Sequence, residues 1–166
     1  MGETSVTPLE DIEVLKLVEG LTDEVWVIVG GWEAFVRGTV GKQWVRALDS
    51  IGANIAEAYG CYPYGEKIQF LYYARGSVYE TKYWLNRCLA RNLIDWESGN
   101  QFAEALSETA RQINAFTNSL KSRRRQKTTK STQENRVEYI LEDRSDTEIF
   151  TESEILALTS IIKNPA

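Results

Sequence analysis

The feature that most constrains the fold is the regular spacing of the apolar residues. In three separate segments these residues follow one another at steps of three and four. Since an α-helix has 3.6 residues per turn, such steps place the side chains along one face of a helix. The segments are Val14-Val18-Leu21-Val25-Ile28-Trp32, Trp44-Leu48-Ile51-Ile55-Tyr59 and Phe102-Leu106-Thr109-Ile113-Phe116-Leu120. The spacing therefore predicts amphipathic helices that share one core.

A fourth helix is predicted between the second and third of these segments. The stretch from Gly65 to Ile94 carries two apolar seams side by side, so we expect it to contact neighbours over a wide arc. Breaks are predicted at "VGGWEAFVRGT", with Thr39 as a helix N-cap, at "YGCYPYGE" and at "DWESGN". Short connections favour antiparallel neighbours, so residues 1–120 are predicted to form an all-α, up-down-up-down antiparallel four-helix bundle.

The chain changes character after Leu120. Residues 121–136, "KSRRRQKTTKSTQENR", contain no aliphatic, aromatic or cysteine residue, and we expect a flexible basic linker. Residues 137–166 are predicted to be a tail that ends in a short amphipathic helix, because Thr151 and Glu154 have capping-box spacing. Residues 1–120 carry 10 basic and 16 acidic side chains, whereas residues 121–130 carry six basic side chains and no acidic one.

The composition excludes several classes of function. The chain contains no histidine, so Ser-His-Asp and Cys-His nucleophiles and His-ligated metal sites are ruled out. Cys61 and Cys88 lack metal-ligand spacing, and no apolar run approaches the roughly 20 residues that span a bilayer. We expect a cytoplasmic protein with no catalytic residue, metal, cofactor or membrane partner. The remaining enzymatic alternative is carboxylate chemistry by Glu57 and Glu80.

The segment "SIGANIAEAYG" combines small and polar residues within a predicted helix. Gly52, Ala56 and Gly60 lie at four-residue steps, a spacing that lets another helix approach closely. Nearby polar side chains could hold a catalytic carboxylate, but we interpret them as a structural network that fixes helix register. The predicted network comprises Arg46, Asn54, Glu57 and Arg75.

Aromatic residues are concentrated in the same half of the predicted bundle. Seven of the eight tyrosines fall between Tyr59 and Tyr83, more than one bundle of this size can enclose. An exposed aromatic patch is typical of a contact between chains, so we expect a homo-oligomer. Base stacking on the rings is the competing interpretation. Besides the small residues, the expected contact residues are Tyr72, Tyr73, Tyr79, Tyr83 and Trp84.

Three stretches resemble a known family in order and spacing. They are "LEDIEVLKLVEGLTDEVW", "QWVRALDSIGANIAEAYG" and "KIQFLYYARGSVYETKYWLNRCLARNLI". The family comprises bacterial four-helix-bundle proteins, among them proteins encoded in intervening sequences of large-subunit rRNA genes and accessory variability proteins of diversity-generating retroelements. The resemblance implies a homopentamer without enzymatic activity, and in the retroelement members a partner reverse transcriptase and bound nucleic acid. This chain departs from the family pattern at Ala58, at Cys61 and in its acidic bundle.

Two functions follow as hypotheses. The first is a non-enzymatic homo-oligomeric scaffold, for which the resemblance implies a pentamer. It would act as an accessory factor for a reverse transcriptase, a ribonucleoprotein or another protein partner. The alternative is RNA or DNA binding through the basic segment, where repetition in an oligomer would multiply weak phosphate contacts. The expected nucleic-acid contacts are Lys121, Arg123, Arg124, Arg125, Lys127 and Lys130.

Overall fold

The computed structural model describes residues 9–129, and every regular element within them is helical. The predicted all-α class is thereby confirmed. A short 3-10 turn, Leu9–Asp11, comes before the first long helix. The main helices are α1 (Glu13–Gly30), α2 (Ala34–Val36, Arg37–Gly41 and Lys42–Gly60), α3 (Tyr64–Ala90) and α4 (Trp96–Thr129).

The second helix begins earlier than the sequence predicts. Its first turn, Ala34–Val36, leads into a π-turn at Arg37–Gly41, and the backbone stays right-handed helical into Lys42. Thr39 therefore lies inside the helix, where its hydroxyl donates a hydrogen bond of 2.7 Å to the Phe35 carbonyl. The prediction of Thr39 as an N-cap is wrong, because an N-cap requires non-helical backbone at the capping residue.

The apolar seams meet in one core. α2 makes its most extensive contacts with α3, and it also packs against α1. The largest fully buried side chains are Trp44, Leu48, Ile51, Ile55, Leu71, Leu85, Leu106, Ile113, Val18, Val25 and Val78. Most of them belong to the predicted seams, so the seams do supply the core.

Aromatic rings fill the core where α1 ends and α2 begins. The Trp32 and Trp44 rings stack with centroids 6.2 Å apart, and Phe102 meets Trp44 edge-on at 5.4 Å. Trp32 follows the end of α1, so its ring reaches the core from the connection between the helices. A Cβ atom at Gly41 would lie 2.5 Å from Val29 Cγ1 and 3.2 Å from the Trp32 ring. The π-turn can therefore pack here only because Gly41 has no side chain.

The connection between α3 and α4 lies before the break that the sequence predicts. α3 ends at Ala90, and Asn92 adopts a left-handed conformation with φ of 54°. Asp95 then caps α4 by accepting hydrogen bonds from the backbone amide and the hydroxyl of Ser98, at 2.9 and 3.0 Å. These bonds lower the pKa of the Asp95 carboxyl. Thus most of "DWESGN" is helical, and residues 91–95 form the connection.

α4 continues well beyond Leu120, the last residue of its apolar seam. It runs through Thr129, so the prediction of a flexible linker is wrong for residues 121–129. The lysine, arginine and glutamine residues of this stretch have high helix propensity, and the buried Leu120 anchors the helix just before them. The rest of the predicted linker and the predicted tail, residues 130–166, lie outside the described residues.

No helix within residues 9–129 combines the length and the apolar character needed to cross a bilayer.

Replacement of Gly41 tests whether this close approach limits stability. We expect Gly41→Ala to lower the free energy of unfolding by about 1–3 kcal/mol, because the new methyl overlaps Val29. Gly20→Ala is the matched control, since Gly20 is exposed within α1 and has no atom within 4 Å of an added Cβ. It should raise stability by about 0.5–1 kcal/mol. Urea unfolding at one protein concentration measures both, and an unchanged Gly41→Ala variant would contradict the described packing.

Candidate interaction surfaces

The outer face of α3 carries a group of tyrosines. Tyr73 and Tyr83 are each 53% exposed and Tyr79 is 39% exposed. Tyr72 and Trp84 are half-buried beside them. The Tyr83 and Trp84 rings meet edge-on with centroids 5.0 Å apart. We call Tyr72, Tyr73, Tyr79, Tyr83 and Trp84 the tyrosine face; it is exposed aromatic surface, as the sequence predicts.

Cationic side chains cover several of these rings. The Arg75 guanidinium lies 6.0 Å from the Tyr79 centroid, and that of Arg87 lies 5.8 Å from the Tyr83 centroid. Such cation–π contacts are worth about 0.5–1 kcal/mol at exposed sites. The tyrosine face therefore combines aromatic rings with positive charge.

Two buried polar atoms accompany the tyrosine face. Asn86 Oδ1 and Arg87 Nε have no hydrogen-bond partner among the described residues. Asn86 lies three residues after Tyr83 and seven after Tyr79, which puts it on the same side of α3. Burying an unpaired polar atom costs about 1–3 kcal/mol, so these two atoms lower the stability of the packed chain.

A polar relay joins α2 to α3. The Asn54 amide donates to the Ser50 carbonyl at 2.7 Å and to the Ser50 hydroxyl at 3.2 Å. Ser50 Oγ lies 3.0 Å from Ser77 Oγ, and Ser77 in turn donates to the Tyr73 carbonyl at 3.1 Å. Because the Ser77 hydroxyl donates its proton to the Tyr73 carbonyl, Ser77 Oγ accepts the hydrogen bond from the Ser50 hydroxyl. The side-chain hydrogen bonds therefore all run in one direction, from Asn54 to Tyr73. We call Asn54, Ser50 and Ser77 the serine relay.

The sequence predicts a polar network in which Asn54 contacts charged side chains and not serines. Arg46 and Glu57 are exposed, and Arg75 lies over the Tyr79 ring. The link among Arg46, Glu57 and Arg75 stays a prediction, whereas the bonds of Asn54 run to Ser50. Sequence reasoning missed the serines because a hydroxyl inside a helix usually returns its bond to its own backbone. Glu80, the second carboxylate of the enzymatic alternative, is also exposed.

Of the small residues at four-residue steps, Gly52 and Ala56 line one wall of a groove between α1 and α2. A Cβ atom at Gly52 would lie 3.6 Å from both Leu15 and Val18, an ordinary van der Waals distance. Ala56 is half-buried in the groove, while an added Cβ at Gly60 would meet nothing within 4 Å. Of the two glycines, only Gly52 would meet a neighbouring helix among the described residues. Contact between chains at Gly52, Ala56 and Gly60 stays a prediction.

The groove has a volume of about 500 Å³, an apolar floor and an acidic rim. The rim carboxylates are Glu19, Asp23 and Asp49. Burial, and then the negative charge of Asp23, raise the pKa of the Asp49 carboxyl. The floor consists of Leu9, Leu15, Val18, Gly52, Ala53 and Ala56, and Thr22 completes the lining. We call this set the acidic groove.

The basic residues predicted to contact nucleic acid start on α4. Lys121 is half-buried, and its ammonium lies 5.7 Å from the Tyr72 ring centroid. Arg123, Arg124 and Arg125 are exposed on the same helix. Lys127 is part of the helix, but its side chain and the whole of Lys130 lie outside what the structure describes. We call Lys121 and the three arginines the basic end of α4.

Sequence reasoning missed other exposed apolar residues. Trp26, Val27 and Phe35 are exposed close to the connection between α1 and α2, and Tyr62 is 94% exposed between α2 and α3. Trp26 and Val27 fall outside the three-and-four spacing of the α1 seam. That departure is a signal of exposure which the sequence already contains.

The two cysteines lie in different surroundings. Burial raises the pKa of the Cys88 thiol to about 12, against an opposing effect of Arg91, so the thiol stays protonated and unreactive near neutral pH. Within residues 9–129, no three Cys, Asp or Glu side chains gather where they could hold a metal ion. Cys61 is half-buried and free.

The chain matches the model of a known protein family. The family model described as 23S rRNA-intervening sequence protein matches residues 10–115, which cover α1, α2, α3 and more than half of α4. No curated protein matches the chain.

The serine relay predicts which polar residue near Asn54 stabilises the fold. Ser77→Ala removes the acceptor of the Ser50 hydroxyl, and we expect it to lower the free energy of unfolding by about 1 kcal/mol. Glu57→Gln should change it by less than about 0.5 kcal/mol, because Glu57 is exposed. Thermal unfolding of the two variants at matched concentration decides the point. A larger loss for Glu57→Gln than for Ser77→Ala would contradict the assignment.

Proposed function

Because the chain belongs to the 23S rRNA-intervening sequence protein family, we propose that it is a non-enzymatic assembly protein. Copies associate through exposed faces of the helices and present their C-terminal segments to a partner. The proposal needs no cofactor or reaction centre, and the buried protonated Cys88 and the exposed positions of Glu57 and Glu80 agree with it.

The observation that carries the proposal is the tyrosine face of α3. Tyr73, Tyr79 and Tyr83 expose a large aromatic area in a part of the molecule that is otherwise well packed. Tyrosine and arginine are the residues most enriched at protein interfaces, because they combine a large apolar area with hydrogen-bonding groups.

The arrangement that we propose is an antiparallel four-helix bundle in a ring of copies. Three contacts support the antiparallel order: Gly41 lies against Val29, Ser50 against Ser77, and Gly99 against Leu89. In each pair the contacting residues lie on opposite sides of a connection between consecutive helices. The family resemblance implies five copies, and the proposed partner is a reverse transcriptase or another component of a ribonucleoprotein.

Substitution within the tyrosine face tests the assembly. We expect Tyr79→Glu combined with Tyr83→Glu to weaken self-association about 100-fold, since each change buries a charge at the proposed contact. The mass in solution, measured by light scattering across a concentration series, should fall towards that of a single chain. Circular dichroism checks that the helices remain.

Tyr62→Glu is the matched control for this experiment. Tyr62 is the most exposed large apolar residue, yet it lies between α2 and α3 and outside the tyrosine face. It should leave the mass unchanged. A wild-type protein that remains a single chain at every concentration would overturn the proposed assembly, and so would a double variant that associates normally.

A second candidate function rests on the basic end of α4. Arg123, Arg124 and Arg125 are consecutive, exposed and carried by a helix that extends past the apolar seam. Consecutive guanidinium groups suit phosphate backbones, and several copies in one assembly would add their contacts. We therefore propose RNA or DNA binding by this segment as the alternative to a purely protein partner.

Salt dependence distinguishes the two candidates in the full-length chain. Neutralising all three arginines to glutamine should lower the slope of log K against log salt by about two per chain for single-stranded RNA. The control variant carries Arg46→Gln, Arg91→Gln and Arg111→Gln, three exposed arginines elsewhere. If the salt slope falls equally in both variants, the attraction is nonspecific. If the wild type binds no RNA, this candidate function is overturned.

A further inference from the structure

We propose that the acidic groove between α1 and α2 receives the basic end of α4 from a second copy of the chain. The proposal rests on the proposed self-assembly and adds a second contact to it, distinct from the tyrosine face. It is an electrostatic contact between unlike surfaces, whereas the tyrosine face is aromatic.

The acidic groove has the chemistry that an arginine-rich helix requires. Arginine places its aliphatic stem along apolar surface while its guanidinium remains at the polar edge. The floor, with Leu15, Val18 and Gly52, offers the apolar surface, and Gly52 adds no side chain that would fill the groove. The rim presents the carboxylates of Asp23 and Asp49, and no lysine or arginine lines the groove. Carboxylates pair with guanidinium groups in a two-bond geometry that lysine cannot match.

The basic end of α4 supplies the complementary group. Arg124 and Arg125 are adjacent and exposed on a helix, so their side chains leave the same turn of α4. This helical end is stiff, which reduces the entropy lost when it is held in a groove. The charges in residues 1–120 and 121–130 are of opposite sign, so the chain carries both halves of the contact.

The end of α4 belongs to another copy because its own groove is out of reach. Lys121 lies over Tyr72, which fixes this part of α4 beside α3. The acidic groove lies between α1 and α2. α4 remains helical through Thr129, so it does not turn back around its own bundle within the described residues. A contact between unlike surfaces on successive copies is the kind that closes into rings.

Charge reversal on each side tests the contact. One full-length variant carries Asp23→Lys with Asp49→Lys, and the other carries Arg124→Glu with Arg125→Glu. Each should weaken self-association at low salt by about tenfold or more, because like charges then face each other. High salt should reduce the difference between wild type and variants. Analytical ultracentrifugation gives the association constants, and circular dichroism confirms folding.

Mixing the two variants is the decisive test of the contact. In the mixture, the groove with Asp23→Lys and Asp49→Lys can accept the α4 end with Arg124→Glu and Arg125→Glu. The unchanged groove of the second variant can accept the unchanged α4 end of the first. The mixture should therefore recover most of the wild-type association that each variant alone has lost. A variant with Glu97→Lys and Glu104→Lys makes the same charge change at exposed sites outside the groove and the tyrosine face, and should associate normally.

Each outcome bears on a different part of the proposal. Normal association of both reversed variants, or no recovery on mixing, overturns the groove contact and leaves the tyrosine-face assembly intact. A wild type that never associates overturns both. If the arginine variant loses RNA binding but keeps its mass, the basic end of α4 serves nucleic acid rather than a second copy.

Discussion

The whole structure depends on the burial of one seam of α2. Trp44, Ile51 and Ile55 are essentially inaccessible to solvent, and they meet side chains from several neighbouring helices. Burying a side chain of this size contributes roughly 1.5–3 kcal/mol, so this seam alone is comparable to the stability of a small domain. Apolar burial has no direction, however, and directional contacts must fix how the helices slide against one another. The serine relay provides such contacts between α2 and α3, and Lys67 adds another by donating to the Tyr59 carbonyl at 2.9 Å.

The sequence predicts the helices well and their ends less well, for a physical reason. A seam such as Val14 to Val25 repeats the same apolar spacing over several turns. The helix is therefore still predicted when one position departs from the pattern. The start of α2 depends instead on whether Gly38 and Thr39 break the helix or continue it as a π-turn. That choice follows from the fit of Gly41 against Val29 and Trp32, a contact between segments that no local pattern reveals. The sequence predicts too short a helix for α4, because the polar composition after Leu120 resembles that of a flexible segment.

The interaction surfaces were predictable to different degrees. The tyrosines of α3 could be assigned to the surface by volume, since one bundle cannot enclose them all. The acidic groove could not, because its rim combines Glu19 and Asp23 from α1 with Asp49 from α2. Only the packing of the two helices brings these carboxylates together. The family match spans the helical region and carries no statement of chemistry, so function has to be argued from these surfaces.

The continuation of α4 to Thr129 has a mechanical consequence. With a rise of 1.5 Å per residue, the stretch from Leu120 to Thr129 holds the start of the following segment about 14 Å from the last buried residue of the helix. A stiff spacer of this kind sets a minimum distance between the packed helices and whatever the C-terminal segment contacts. In an assembly of several copies, it would also set the spacing between neighbouring attachment points. The length of this helix would then favour partners whose own binding sites repeat at the same interval.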